Sequence, residues 1–232
     1  MAETSRTSLA PTGPDRLTWQ KFVLGDWTSV VRDPLDVYRI AFIAAVVVWG
    51  ILGHSVAGLV AASLVLVLAR IVNLPRFYDF NVIVAMFLLA WGSALGWYGS
   101  WAFYDKVVHF LAPLLTTPIV YILLARLGVL PQLRDLRQLH HQLGFFLIAL
   151  ALGMAIGAGW EIVEWLLDQA TDAGRVESAR DTATDLIADT LGSVGSGLIL
   201  VGWSLAGWSL TRRPGAELAD DQLSSFFTLR LQ

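Results

Sequence analysis

The chain has no cysteine in 232 residues. That excludes disulfides, thiolate catalysis and cysteine-ligated metal. Charge is also scarce. Charged residues make up 15% of the sequence, against roughly 25% in a soluble domain. Only Lys21 and Lys106 are lysines among 16 basic residues; with plentiful Ala, Gly and Trp, this points to a GC-rich bacterial genome. The net charge of −3 comes with no large basic face, so nucleic acid is not an expected partner. Two common catalytic signatures are missing, the His-Glu-x-x-His zinc motif and the Gly-x-Ser-x-Gly elbow. Residues 1–17 are polar and rich in Ser, Thr and Pro, with no apolar core of the kind a secretory signal needs.

What remains is apolar. Hydrophobic residues are 56% of the chain and mean hydropathy is +0.61. No polar stretch is long enough to bury a core of its own. The composition predicts an all-α, polytopic helix bundle with the lipid bilayer as its main partner. A span needs about 20 apolar residues. Six runs qualify, near 36–53, 56–73, 79–98, 105–126, 142–167 and 183–208. Asp33-Pro34 is a helix-start signal before the first, and Gly128 with Pro131 ends the fourth. Residues 1–35 form a polar tail in which Leu17–Val31 reads as a helix lying on the membrane surface or as a simple lead-in. Residues 209–232 form a second tail.

Orientation follows from Lys and Arg. Arg16, Lys21, Arg32 and Arg39 precede the first span. Arg70 and Arg76 flank the second loop, Arg126, Arg134 and Arg137 the fourth, and Arg212 and Arg213 follow the last. Positive charge on the inner side then puts both termini in the cytoplasm. Trp49, Trp97, Trp101 and Trp165 fall at outer helix ends, and Trp203 with Trp208 at an inner one, as in an aromatic belt. The pairs Gly92/Gly96, Gly153/Gly157 and Ser193/Gly197 have the spacing of close helix contacts.

Carboxylates interrupt this apolar pattern. Glu161, Glu164 and Asp168 are spaced i, i+3, i+7, and Asp181, Asp185 and Asp189 are spaced i, i+4, i+8. Each set lies on one helix face. Asp105 and His109 lie one turn apart at the start of another span. If the last two spans are antiparallel neighbours, Asp168 pairs in depth with Asp181, Glu164 with Asp185 and Glu161 with Asp189. The deepest pair then sits about 10–12 Å below the outer end, and His109 about 6 Å further in than Asp105. Ionisable groups inside a membrane are costly and are functional candidates by default.

Simpler roles exist for some of them. Asp105 and Asp181 also read as N-caps, Asp168 and Asp172 as solvated loop residues, and Lys106 as a side chain snorkelling to the interface. His54, His140 and His141 read as solvated. The expected metal set is Asp105, His109, Glu161, Glu164, Asp185 and Asp189, with Glu161, Glu164 and His109 as catalytic candidates. Oxygen-rich ligands suit Mg²⁺, Mn²⁺ or Ca²⁺, and a histidine beside them admits Zn²⁺ or Fe²⁺. The cluster could equally hold protons, or be neutralised by Lys106, Arg175 and Arg180. Three functions stay open: binding or transport of a cation or protons from the external side, a metal-dependent enzyme acting on an outer-leaflet lipid or lipid-linked substrate, and a structural polar lock between helices.

Three motifs carry a resemblance. They are Tyr104-Asp-Lys-Val-Val-His109-Phe, Gly159-Trp-Glu161-Ile-Val-Glu164-Trp165, and Asp181-Thr-x-x-Asp185-Leu-Ile-x-Asp189-Thr-Leu-Gly192. In this order they resemble a bacterial inner-membrane family of the YjdF type, and more distantly the VanZ-like membrane proteins. The resemblance covers residues 36–208. It implies a multi-helix fold in the bacterial inner membrane and supplies motif positions, with no catalytic assignment to carry over.

Overall fold

The computed structural model describes residues 34–131, 138–171 and 178–206. Among the described residues the protein is entirely helical. The helices are α1 (Pro34–Ile51), α2 (Ala57–Val72), α3 (Arg76–Ala94), the short α4 (Trp97–Ser100), α5 (Tyr104–Arg126), α6 (Leu139–Thr171) and α7 (Ala179–Leu205). Five of them, α1, α3, α5, α6 and α7, are long and apolar enough to cross a membrane. The predicted second span corresponds to α2, which is apolar but has only 16 residues. The predicted Leu17–Val31 helix and Trp208 lie outside the described residues.

Local chemistry explains the helix ends. The third span was expected to reach residue 98. It stops at Ala94 because Gly96 turns the chain at φ 71°, and α4 follows as one short turn. Within α3, residues Phe87–Trp91 form a wide π turn. The Tyr104 hydroxyl donates to the Leu88 carbonyl there at 2.7 Å, and its ring fills the place a Gly92 side chain would take. Tyr104 thereby pins the start of α5, next to Asp105. Asn73 ends α2 in the left-handed conformation, and Arg126 donates to the helix-end carbonyls of Val72 and Asn73 at 2.7 and 3.4 Å. The C-terminal end of α5 is thus tied to the end of α2.

Helices α5, α6 and α7 pack most extensively on one another, and α3 joins α1 and α2 to α5. Lipid offers no hydrophobic drive for this packing, so close contact between small residues carries it. Pro113 removes the amide that would bond the His109 carbonyl. Its ring and the Phe110 carbonyl lie against Gly192 of α7, where a Cβ would overlap that carbonyl. Backbone cannot swing aside as a flexible side chain can. Gly192→Ala is therefore expected to destabilise the protein by about 1–3 kcal/mol, the cost of overpacking. Gly202→Ala on the same helix meets nothing within 4 Å. It should be neutral or stabilising, because Ala is the better helix former by about 1 kcal/mol. Thermal unfolding of the two variants in detergent checks the contrast.

A buried ion network closes the opposite end from Asp105. Arg39 donates to Asp36 at 2.9 Å, to Asp79, and to the Leu66 carbonyl at 3.3 Å, while Arg70 Nε lies 2.9 Å from Asp36. The starts of α1 and α3 and the end of α2 meet there. Sequence reading treated Arg39 and Arg70 only as orientation markers. Trp203 also departs from expectation. It is 2% exposed and packs on Phe77 and Tyr78, so it belongs to the core and not to an aromatic belt.

Candidate metal centre

Three helices build the site. From α5 come Asp105, Lys106 and His109, from α6 Glu161 and Glu164, and from α7 Asp181, Asp185 and Asp189. The i, i+4 spacing on α5 and α7 turns their side chains toward each other. The other five predicted ligand residues gather around His109. Its Nε2 lies 3.7 Å from Asp105 Oδ1, 3.7 Å from Glu161 Oε1 and 3.9 Å from Asp185 Oδ1. Glu164 offers an oxygen to the same group within 4.8 Å. On the other side of the ring, Nδ1 faces Asp189 Oδ2 at 3.3 Å.

The depth pairing differs from the expected ladder by about one turn. Asp189 lies against Gly157, where a Cβ would overlap its carboxylate, and Glu161 shares the level of Asp185 at His109. The missing side chain at Gly157 is what lets Asp189 sit between α6 and the imidazole. Asp168 was expected to pair with Asp181, but its side chain lies outside the described residues.

The capping roles considered for Asp105 and Asp181 are not the ones found. Phe103 precedes α5, and Ser178 caps α7 by accepting from the Asp181 amide at 3.2 Å. The Asp181 side chain instead meets Lys106. Lys106 Nζ donates to Asp181 and Asp185 at 2.6 Å each and to Asp105 at 3.1 Å. It has folded inward over the carboxylates rather than snorkelling away. Arg180, considered for the same role, is exposed, and Arg175 lies outside the described residues. His140 and His141 are exposed, as expected. His54 stacks on Trp49 with ring centroids 4.1 Å apart.

Among the described residues, exposure of the cluster falls from one end to the other. At the mouth, the Asp105, Lys106 and Asp181 side chains are 33%, 31% and 22% exposed. At the bottom, His109, Glu161, Asp185 and Asp189 are buried. Below Asp189 the helices touch: Gly153 meets Ser193 and Thr117, and Thr117, Ser193 and Ser196 are fully buried. Sequence reading had assigned Gly153 and Gly157 to helix packing. It did not foresee that their missing side chains form the floor and one wall of the site.

The electrostatics are unbalanced. An ionised carboxylate only accepts hydrogen bonds, so the Asp189 contact puts a proton on Nδ1, while Nε2 faces the other carboxylates. Six carboxylates surround one ammonium and one imidazole. Glu161 Oε1 is buried and has no hydrogen-bond partner. Buried polar atoms are nearly always satisfied, so a proton, a water or an ion is expected on this one. The gaps around Nε2 are too long for hydrogen bonds, which end near 3.2 Å. One ion with bonds of about 2.0–2.2 Å could bridge them.

These features define a multi-pass helical membrane protein with a buried acidic and histidine cluster able to hold a metal. The chain matches the family described as Predicted membrane protein (DUF2238) over residues 36–205, and it belongs to that family. The match spans every helix of the site. No curated protein and no solved structure matches the chain.

Proposed function

We propose that this protein binds one divalent cation in the outer half of its bundle, through His109 Nε2, Glu161 and Glu164. Asp189 holds Nδ1 and orients the ring, as carboxylates do behind metal-bound histidines. Asp105 and Asp185 complete the negative surround. The observation that carries this reading is the buried, unpartnered Glu161 Oε1, 3.7 Å from Nε2. A structural lock would pair its own polar atoms, because a half-satisfied network costs more than an apolar contact. A carrier would need a path onward, and the Gly153–Ser193–Thr117 contacts close the floor. One imidazole with two carboxylates suits Mn²⁺, Fe²⁺ or Zn²⁺ better than the all-oxygen preference of Mg²⁺ and Ca²⁺.

The same reading places the chain in the bacterial inner membrane with six crossings, α2 included, and both termini in the cytoplasm. The start of α1 and the ends of α2 and α5 meet through Arg39, Arg70 and Arg126, which supports a crossing by α2. Positive charge at that end supports a cytoplasmic face there. The kinship with YjdF-type proteins belongs to this proposal too.

Mn²⁺ titration of the purified full chain tests the site. Glu161→Gln and Glu164→Gln should each weaken binding by more than the roughly 10–100-fold typical of lost outer-shell partners. Unchanged affinity in both variants would refute the assignment.

A further inference from the structure

The outer half of the pocket already holds a cation. Lys106 Nζ sits among Asp105, Asp181 and Asp185 at 3.1, 2.6 and 2.6 Å. The inner half is built around Glu161, whose buried, unpartnered Oε1 is aimed into it 3.7 Å from His109 Nε2. Asp185 Oδ1 borders both halves, 2.6 Å from the ammonium and 3.9 Å from His109 Nε2. Asp105 does the same, with Oδ2 on Lys106 and Oδ1 3.7 Å from Nε2. Two carboxylates shared between neighbouring cation positions is the arrangement of a dinuclear pocket.

We propose that Lys106 is a tethered cation that fills the second position of a two-cation pocket and limits the protein to one metal ion. This rests on the inner metal site proposed above. The charge balance favours it. A divalent ion in the inner half still leaves an excess of carboxylate at the mouth, which one ammonium reduces further without drawing a second ion from solution. Lysine suits the task because its ammonium is a compact point charge with three donors, and three carboxylates receive them. A tethered charge also costs no binding from solution, so the outer position stays filled at any metal concentration. The specificity is for number: one exchangeable ion, with Lys106 as the fixed neighbour.

Counting Mn²⁺ tests this. Full-length protein in detergent is titrated with Mn²⁺ alone, and bound ion is read by electron paramagnetic resonance and by metal analysis. Wild type should hold one Mn²⁺ per chain. Lys106→Gln should hold two, with the spectrum broadened by coupling between neighbouring spins. Lys106→Arg, which keeps the charge, should hold one. If Lys106→Gln is unstable without metal, its melting temperature should rise on adding Mn²⁺ by more than that of wild type. One ion in both wild type and Lys106→Gln would overturn the role of Lys106 and leave the inner site standing. No ion in wild type with one in Lys106→Gln would refute the inner site and, with it, the one-ion limit. No ion in either would overturn both.

Discussion

Arg39→Met should destabilise the protein by about 3–5 kcal/mol, the cost of breaking a buried ion pair by removing one partner. Arg39 is 4% exposed, Asp36 3% and Asp79 0%, so water cannot replace the lost cation. The methionine keeps the volume and the apolar stem, which confines the effect to charge. Arg70 still holds Asp36 at 2.9 Å, so the loss at that carboxylate is partial. Asp79→Asn in the Arg39→Met background should recover part of the stability, because it removes one of the buried carboxylates that Arg39 holds. Equilibrium unfolding in mixed micelles measures both. A loss below about 1 kcal/mol for Arg39→Met, the level of an exposed pair, would show the network to be solvated. Mn²⁺ binding by the folded variant should be unchanged, since Arg39 lies at the opposite end of the bundle from Asp105.

His109→Ala should abolish Mn²⁺ binding in the range where wild type saturates. It removes the proposed nitrogen ligand, on which Asp105, Glu161, Asp185 and Asp189 converge. Asp189→Asn should do less. It leaves Nε2 in place but weakens the hold on Nδ1, and such changes cost about 10–100-fold in metal affinity. The ordering matters more than either value. If Asp189 were itself a ligand and His109 a bystander, the two variants would rank the other way.

Parts of this architecture were legible in the sequence. Carboxylates recurring every turn within apolar runs marked one face each of α6 and α7, and the Asp105–His109 spacing did the same for α5. Those faces do converge. The axial register between helices was not legible. It depends on Gly157 receiving Asp189 and on Gly192 accepting the Phe110 carbonyl beside Pro113, which are contacts between distant segments. A glycine pair in sequence announces close approach but not its partner. The Arg39 network was missed for a related reason. Arginines near helix ends look like ordinary orientation charges, and only tertiary packing brought Asp36 and Asp79 around one of them. Trp203 likewise sits where a belt residue would, yet Phe77 and Tyr78 cover it. For Lys106 the sequence allowed both snorkelling and folding inward, and the three carboxylates around it decide for the second.

The central claim is that a divalent cation sits on His109 Nε2 between α5 and α6. Electron spin-echo spectroscopy of the Mn²⁺-loaded full chain tests it most directly, because it detects nitrogen bonded to the ion. The chain has four histidines, so the signal needs assignment by substitution. The account predicts coupling to one imidazole nitrogen that persists in His54→Ala and in the His140→Ala/His141→Ala double variant and disappears in His109→Ala. Bound Mn²⁺ without nitrogen coupling, or with coupling that survives His109→Ala, would contradict it.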